Sequence, residues 1–170
     1  RDVGGSLCEK DMADTARAIL AEAEAKGCRI LLPVDVVVAA DVRPNAPACT
    51  LELDAGPLSP DDKILDAGPE ATAEIVAAMR VSRTLVWNGP LGVFEVPPFD
   101  RATVEAARAA GALARSGALT AVAGGGDTVA ALNRAGVAEQ FTFVSTAGGA
   151  FLEWMEGKTL PGVAALKAQA

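Results

Sequence analysis

Hydrophobic and polar positions divide the chain into short apolar runs and longer segments with helical spacing. The apolar runs are typical of buried strands and lie at 30–40, 50–53, 63–66, 83–87, 119–123 and 141–144. Apolar residues three and four positions apart predict helices at about 6–26, from 69 onward, 100–115, 127–135, 150–156 and 163–168. Because strands and helices alternate, we expect an α/β fold with a doubly wound, Rossmann-like parallel sheet and helices on both faces.

The first predicted helix carries a start signal. Ser6 and Glu9 have the spacing of a capping box, in which each side chain accepts a hydrogen bond from the other residue's backbone N–H. The sequence therefore predicts that this helix begins at Ser6 and has Met12, Ile19 and Leu20 on one face.

Asp35 interrupts the most apolar run of the chain, residues 30–40. A buried carboxylate needs a hydrogen-bond partner. We prefer the interpretation that Asp35 lies at a strand end and bonds nearby backbone over a functional role for this residue.

A glycine-rich turn joins the apolar run 119–123 to the helix that follows. Gly124, Gly125 and Gly126 form the turn, and Asp127 and Thr128 open the helix. Glycines let a ligand approach the backbone, and the unpaired N–H groups of a helix start attract anions such as phosphate. A carboxylate suits such a site only if a cation lies between it and the phosphates, as Mg²⁺ does with nucleotides. The alternative is an ordinary βα turn in which Asp127 is only the helix N-cap.

Three polar, glycine-rich loops are expected at one edge of the sheet. They lie at 88–95, 124–128 and 145–149, directly after three of the predicted strands. In parallel α/β sheets, ligands bind beyond the carboxyl ends of the strands. Because turn formation alone does not require three such loops, the pattern favours a phosphate-bearing ligand.

Composition and charge exclude several classes of function. The net charge of −7 argues against nucleic acid or an anionic membrane as a partner, and no apolar run is long enough to span a bilayer. The absence of histidine excludes serine-hydrolase triads, zinc–histidine sites and histidine-based acid–base catalysis within these residues. Three cysteines without a CxxC pair indicate free thiols in a reducing cytoplasm.

Short motifs lie along the whole chain: DVGGSL at 2–7, LPVDVVVA at 32–39, VWNGPLGVFE at 86–95, GGGDT at 124–128, STAGGA at 145–150, LE at 152–153 and EGK at 156–158. In this order they resemble the motifs of the phosphoglycerate kinase family, and together they are highly specific. Two positions depart from the family's pattern, since Ile64 and Ala147 stand where glycine is common.

The resemblance implies a glycolytic enzyme that transfers a phosphoryl group between 1,3-bisphosphoglycerate and ADP, giving 3-phosphoglycerate and ATP, with Mg²⁺. It also implies a role for each matching residue. These roles are phosphate binding by Gly125, Gly126, Asp127 and Thr128, metal binding by Asp127, nucleotide-pocket contacts by Asn88, Pro90, Gly92 and Val93, ribose binding by Glu95, and amides for the transferred phosphoryl group at Gly148 and Gly149.

By the same resemblance, residues 1–170 are most of the C-terminal, nucleotide-binding domain, without the start of that domain and without the N-terminal substrate domain. The absent domain is expected to hold the phosphoglycerate and to supply the positive charge that this acidic chain lacks. We therefore expect a cytoplasmic, monomeric enzyme with no nucleic-acid or membrane partner. The C-terminal part alone is expected to be inactive.

Two other classes of function stay open from the residues alone. One is a nucleotide-binding module without catalysis. The other is a nicotinamide- or flavin-dependent oxidoreductase. Against the second, Val129 stands where the third glycine of a G-x-G-x-x-G fingerprint would be.

Overall fold

The computed structural model describes residues 2–167, which divide into two compact units. The first unit contains the chain up to Ala77 together with Leu91–Ala102, and the second contains Ala78–Pro90 and the chain from Thr103 onward. Each unit has its own three-stranded sheet. The fold class is therefore α/β, as predicted, but it is built on two small sheets.

The first unit is built on an antiparallel sheet. Its strands are β1 (Asp35–Ala39), β2 (Cys49–Glu52) and β3 (Lys63–Ala67), in the order β2–β1–β3. β1 pairs antiparallel with both neighbours. Helix α1 (Ala13–Ala25) precedes the sheet along the chain, and helix α2 (Pro69–Val81) begins directly after β3.

The prediction of one doubly wound parallel sheet is wrong for these three strands. Parallel neighbours need a crossover connection of a dozen or more residues, usually a helix, whereas antiparallel neighbours can be joined by loops. No helix lies between β1 and β3, and the intervening residues 40–62 contain only loops and the strand β2. The direction of pairing follows from that missing crossover.

The predicted capping box at Ser6 is also wrong. The Ser6 hydroxyl accepts a hydrogen bond from the backbone N–H of Ile64 at 2.8 Å, so it fastens the N-terminal segment to β3. The helix begins at Ala13, after a short 3-10 turn at residues 10–12, and Glu9 before that turn makes no side-chain cap. The expected apolar face of α1 is open, since Ile19 is 54% exposed.

Apolar side chains cover both faces of the antiparallel sheet. Because successive side chains of a strand point to opposite faces, β1 contributes to two separate clusters. One consists of Ala39, Ala46, Leu65 and Phe99, with Val37, Val93 and Val96 packed against it. The other consists of Val36, Val38 and Leu58, with Leu51, Leu53 and Ile64 packed against it.

Asp35 caps the helix that follows the sheet. Its carboxylate is 2% exposed, and its two oxygens accept the backbone N–H groups of Glu70 at 3.1 Å and Ala71 at 2.7 Å. These donors belong to the first turn of α2 and have no partner within the helix. The predicted strand-end carboxylate bonded to nearby backbone is therefore confirmed.

The second unit contains the predicted parallel sheet. Its strands are β4 (Thr84–Asn88), β5 (Thr120–Gly124) and β6 (Phe143–Ser145), all parallel and in that order. The helices between and after them are α3 (Arg101–Arg115), whose first two residues belong to the first unit, α4 (Gly126–Ala135), α5 (Gly148–Met155) and α6 (Pro161–Lys167). Residue 168, where α6 was expected to end, lies outside the described residues.

Small residues and a left-handed stop shape the helices of this unit. Within this unit, the buried residues of α3 recur at helical spacing and are small, namely Thr103, Ala106, Ala107, Ala110 and Gly111. A Cβ added at Gly111 would lie 2.9 Å from the Gln140 side chain, so glycine permits this close packing. Helix α4 ends at Gly136 in the left-handed conformation, with φ of 72°, as predicted.

Two further expectations concern cysteines and membranes. Cys8, Cys28 and Cys49 are exposed free thiols, as expected from their spacing. Within residues 2–167, no helix combines the length and the apolar character that crossing a bilayer requires.

Gly68 gives a test of the Asp35 cap. A Cβ added at this position would overlap the Asp35 carboxyl group, so Gly68→Ala must displace the cap or the start of α2. We expect a loss of about 1–3 kcal/mol in the free energy of unfolding, as for overpacked cores. Urea denaturation of the chain followed by circular dichroism measures this loss.

Gly162→Ala is the matched control. A Cβ at Gly162, in the first turn of α6, meets no atom within 4 Å. Alanine also has the higher helix propensity. This variant should be as stable as the parent or slightly more stable, and equal stability of Gly68→Ala and the parent would show that the cap tolerates displacement.

Candidate functional site

The carboxyl ends of the parallel strands meet at one edge of the second unit. Asn88 at the end of β4 pairs with Gly124 at the end of β5, and Gly124 pairs with Ser145 at the end of β6. The loops that follow these residues therefore start side by side. This confirms the predicted convergence for the parts of the three loops that belong to this unit.

Two helix N-termini come into close contact at this edge. A Cβ added at Gly148, the first residue of α5, would lie 2.6 Å from the Cα and N atoms of Gly125, which precedes α4. The Gly125 N–H donates to the Ser145 carbonyl at 3.1 Å. Helix starts carry unpaired N–H groups and a partial positive charge. Two of them therefore present donors to the same edge, an arrangement suited to an anion.

Asp127 lies in the first turn of α4 and is not its N-cap. The N-cap is Gly125, with φ of 101° and no side-chain capping bond, so the alternative interpretation of Asp127 as an ordinary N-cap is wrong. The Asp127 side chain is exposed, as is Gly126 before it. The carboxylate is thus available to a ligand next to the amides of the helix start.

Thr128 ties the loop after β4 to α4. Its side chain is 2% exposed, and its hydroxyl accepts the Gly89 N–H at 2.7 Å. The Gly89 carbonyl in turn accepts the indole N–H of Trp87 at 2.6 Å. The Asn88 side-chain oxygen lies close to Gly125, 3.3 Å from a Cβ built there. The hydroxyl of Thr128 therefore has a structural bond that its position in the GGGDT motif did not indicate.

The predicted site residues are divided between the two units. The second unit contains Asn88, Pro90, Gly125, Gly126, Asp127, Thr128, Gly148 and Gly149, and the first contains Gly92, Val93 and Glu95. The structure directly brings together Asn88, Gly125 and Gly148, while Asp127 and Thr128 follow on the first turn of α4.

The segment with Gly92, Val93 and Glu95 is firmly held within the first unit. The Val93 N–H donates to the Leu65 carbonyl of β3 at 2.8 Å. Phe94 is buried, whereas the Glu95 side chain is exposed. The exposed Glu95 carboxylate therefore belongs to a backbone segment that is held in place on its N-terminal side by Val93 and Phe94.

Sequence reasoning missed Asp66 in β3. It is 2% exposed, and its oxygens accept the N–H groups of Ala67 and of Ala102 in the first turn of α3, both at 3.0 Å. Burial raises the pKa of this carboxyl to about 6, although these backbone hydrogen bonds lower it. The charge of Asp100 adds to the rise. A signal was present, because Asp66, like Asp35, interrupts an apolar run.

The groups at the edge of the parallel sheet fit a Mg²⁺ ion that is bound together with a phosphorylated ligand. In the described part of the chain, no group of three or more acidic, cysteine or histidine side chains is placed to hold a metal ion. Mg²⁺ is usually bound by one or two carboxylates, water and the phosphates of the substrate. The exposed carboxylate of Asp127 beside the α4 amides fits that pattern.

The fold defines an α/β protein in which glycine loops and helix N-termini meet at one edge of a parallel sheet. The chain belongs to the phosphoglycerate kinase family, because the family model described as "Phosphoglycerate kinase" matches residues 1–158. Curated relatives of that description include one from Caulobacter vibrioides, 68% identical over 166 residues. One from Zymomonas mobilis is 59% identical over 167 residues.

The matched region covers 98% of this chain but only about 41% of the length of the Caulobacter relative. Solved structures of phosphoglycerate kinases are also similar to this chain. A phosphoglycerate kinase from Coxiella burnetii superposes with a TM-score of 0.88 at 39% identity, over 99% of this chain and 41% of that one. A phosphoglycerate kinase from Pyrococcus horikoshii superposes with a TM-score of 0.75 at 30% identity, over 92% of this chain and 36% of that one. Membership in this family argues against the oxidoreductase alternative.

The raised pKa of Asp66 predicts a pH-dependent stability. The folded chain holds this proton up to about pH 6, whereas the unfolded chain releases it near 3.8. Asp66 therefore contributes stability that is complete below the lower value and is lost as the pH rises through the higher one. Asp66→Asn removes this contribution.

Denaturant unfolding of parent and Asp66→Asn between pH 4 and pH 7 measures the effect. The free energy of unfolding of Asp66→Asn minus that of the parent should increase by on the order of 2 kcal/mol from pH 4 to pH 7. A difference between the two proteins that is the same at every pH does not affect this increase. Parallel stability curves for the two proteins would show that Asp66 titrates at the same pH in both states.

Proposed function

We propose that this chain supplies the nucleotide site of a Mg²⁺-dependent phosphoglycerate kinase. The enzyme would transfer a phosphoryl group between 1,3-bisphosphoglycerate and ADP, giving 3-phosphoglycerate and ATP. The observation that carries the proposal is the close contact of the α4 and α5 starts, where Gly148 packs on Gly125. Membership in the family gives the reaction class.

The proposed roles follow the position of each residue. Gly125, Gly126, Asp127 and Thr128 would contact the nucleotide phosphates, with the amides from Gly126 onward as donors because the Gly125 N–H already donates to the Ser145 carbonyl. Gly148 and Gly149 would offer amides to the transferred phosphoryl group. Asn88, Pro90, Gly92 and Val93 would line the nucleotide pocket, and Glu95 would accept hydrogen bonds from the ribose hydroxyls. Thr128 would contribute its backbone N–H, since its hydroxyl also bonds Gly89.

Phosphoryl transfer needs positioning and charge neutralisation more than a covalent group on the protein. Backbone amides at two helix starts in close contact would meet that need, because they do not have to reorient as charge develops. A chain without histidine is therefore adequate. Asp127 would hold Mg²⁺, which when bound neutralises phosphate charge.

We further propose that these residues are most of the C-terminal domain of a longer, cytoplasmic and monomeric enzyme. The chain matches only about 41% of the length of its relatives. Its net charge of −7 does not favour a second anionic substrate, so the phosphoglycerate would bind to the N-terminal domain. Exposed free thiols agree with a reducing compartment.

Asp127→Ala tests the metal and phosphate site in the full-length enzyme. We expect kcat to fall on the order of 100-fold or more, the scale seen when one preorganised electrostatic group is lost. Binding of Mg–ADP should weaken, while the thermal midpoint should change little because the side chain is exposed. Steady-state kinetics and calorimetric titration measure these effects.

Glu139→Ala is the control, since Glu139 is an exposed acid of the same unit outside the site. This variant should retain parental kcat and Mg–ADP affinity. If Asp127→Ala also remained within a few-fold of the parent, the carboxylate would have no role in the reaction.

Glu95→Ala tests the ribose contact. Charge-assisted hydrogen bonds contribute roughly 1.5–3 kcal/mol, so their loss should raise the Kd for ADP about 10- to 150-fold. The parent should prefer ADP over its 2′,3′-dideoxy analogue, and Glu95→Ala should bind the two almost equally. Glu95→Gln, which keeps one acceptor, should fall between them.

Glu105→Ala, at an exposed position on α3, is the control and should keep the full preference for ADP. Retention of that preference by Glu95→Ala would assign the ribose contact to another residue.

A further inference from the structure

The Asp66 carboxylate is fixed in the first unit by bonds to two different elements. One oxygen accepts the Ala67 N–H of β3 and the other accepts the Ala102 N–H of α3. Rotation of the side chain would leave a buried donor unpaired, which is costly. The carboxylate is therefore a rigid group.

The backbone at Gly92 rests on this rigid group. A Cβ added at Gly92 would lie 2.6 Å from the Asp66 carboxyl carbon and 2.7 Å from the Leu65 carbonyl oxygen. Only a residue without a side chain fits so close an approach. Next to it, the Val93 N–H donates to the same Leu65 carbonyl at 2.8 Å. The strand residues Leu65 and Asp66 thus support two successive loop residues.

The loop continues from this support as a series of tight turns. The Phe94 N–H donates to the Gly92 carbonyl at 2.8 Å, and the Val96 N–H donates to the Val93 carbonyl at 3.0 Å. Phe94 is buried on one side of Glu95, and Val96 packs against the cluster around Phe99. The exposed Glu95 lies between these anchored residues, so the position of its backbone depends on the backbone at Gly92.

We propose that Asp66 is a positioning residue for the loop 91–95 and acts on nucleotide binding through Gly92 and Glu95. This inference rests on the proposed function, in which the loop binds the nucleotide. Asp66 itself is buried under the Gly92 backbone and does not touch the ligand. Its loss should change how well the ribose is recognised, in addition to any change in stability.

Asp35 provides a matched control within the same unit. It is also 2% exposed, it also accepts two backbone N–H groups, and it also packs on a glycine, Gly68. Its helix is α2, however, and its glycine does not belong to the loop 91–95. Asp35→Asn therefore removes the same kind of buried cap without removing the support under Gly92.

The experiment measures the Kd of ADP and of 2′,3′-dideoxy-ADP for the full-length parent, Asp66→Asn, Asp35→Asn and Glu95→Ala, together with thermal midpoints. Small displacements of positioned groups have large effects on recognition. We expect Asp66→Asn to lower the preference for ADP by roughly 10-fold. Asp35→Asn should keep the parental preference for ADP even if its thermal midpoint falls as far as that of Asp66→Asn.

A double variant tests whether Asp66 acts through Glu95. If it does, adding Asp66→Asn to Glu95→Ala should leave the already lost preference unchanged. A further decrease in the preference would mean that Asp66 acts by another route, which would overturn the inference.

Equal retention of the preference by Asp66→Asn and Asp35→Asn overturns the positioning role while leaving the proposed function intact. If the parent shows no preference, or Glu95→Ala keeps it, the assignment of the loop in the proposed function is wrong and the inference falls with it. These two failures are therefore distinguishable.

Gly92→Ala decides the question if Asp66→Asn does not fold. This change leaves both partners of the Asp66–Ala102 bond in place and displaces the loop from the carboxylate. A comparable loss of the preference for ADP supports the inference, and an undiminished preference overturns it.

Discussion

Two buried carboxylates, each placed under a glycine, connect the sheet of the first unit to the helices that follow it. Asp35 caps α2 beneath Gly68, and Asp66 caps α3 beneath Gly92. A helix start needs acceptors for its unpaired N–H groups, and a buried carboxylate needs donors. Each requirement is met by the other, so within the first unit the strand, the first residues of the helix and the glycine backbone are held together.

The elements predicted correctly from the sequence depend on neighbours along the chain. The strand, glycine turn and helix around Gly125 and Asp127 were predictable because their signals lie within twenty residues, and so was the left-handed end at Gly136. The interpretation of Asp35 also held, although its donors at Glu70 and Ala71 lie 35 and 36 residues later, because a buried carboxylate needs donors wherever they lie along the chain.

The errors concern partners that are distant in sequence. Ser6 bonds Ile64, 58 residues away, and the local capping pattern gave no hint of this partner. The antiparallel pairing of β1 with its neighbours depends on the absence of a crossover helix. The apolar runs did not predict it, because such runs occur in both parallel and antiparallel strands. The apolar run around Asp66 is shorter than the run around Asp35 and gave a weaker signal of burial, and nothing in it indicated the donor at Ala102.

The hydrogen bonds around Gly89 have a spectroscopic consequence. The peptide groups of this glycine join the Trp87 indole to the Thr128 hydroxyl, and so link a buried fluorophore to the first turn of α4. Indole emission responds to the strength of the N–H hydrogen bond. A ligand that shifts the start of α4 is therefore expected to change the emission of the buried Trp87, against the background of the exposed Trp154, which gives this edge of the sheet an intrinsic optical probe.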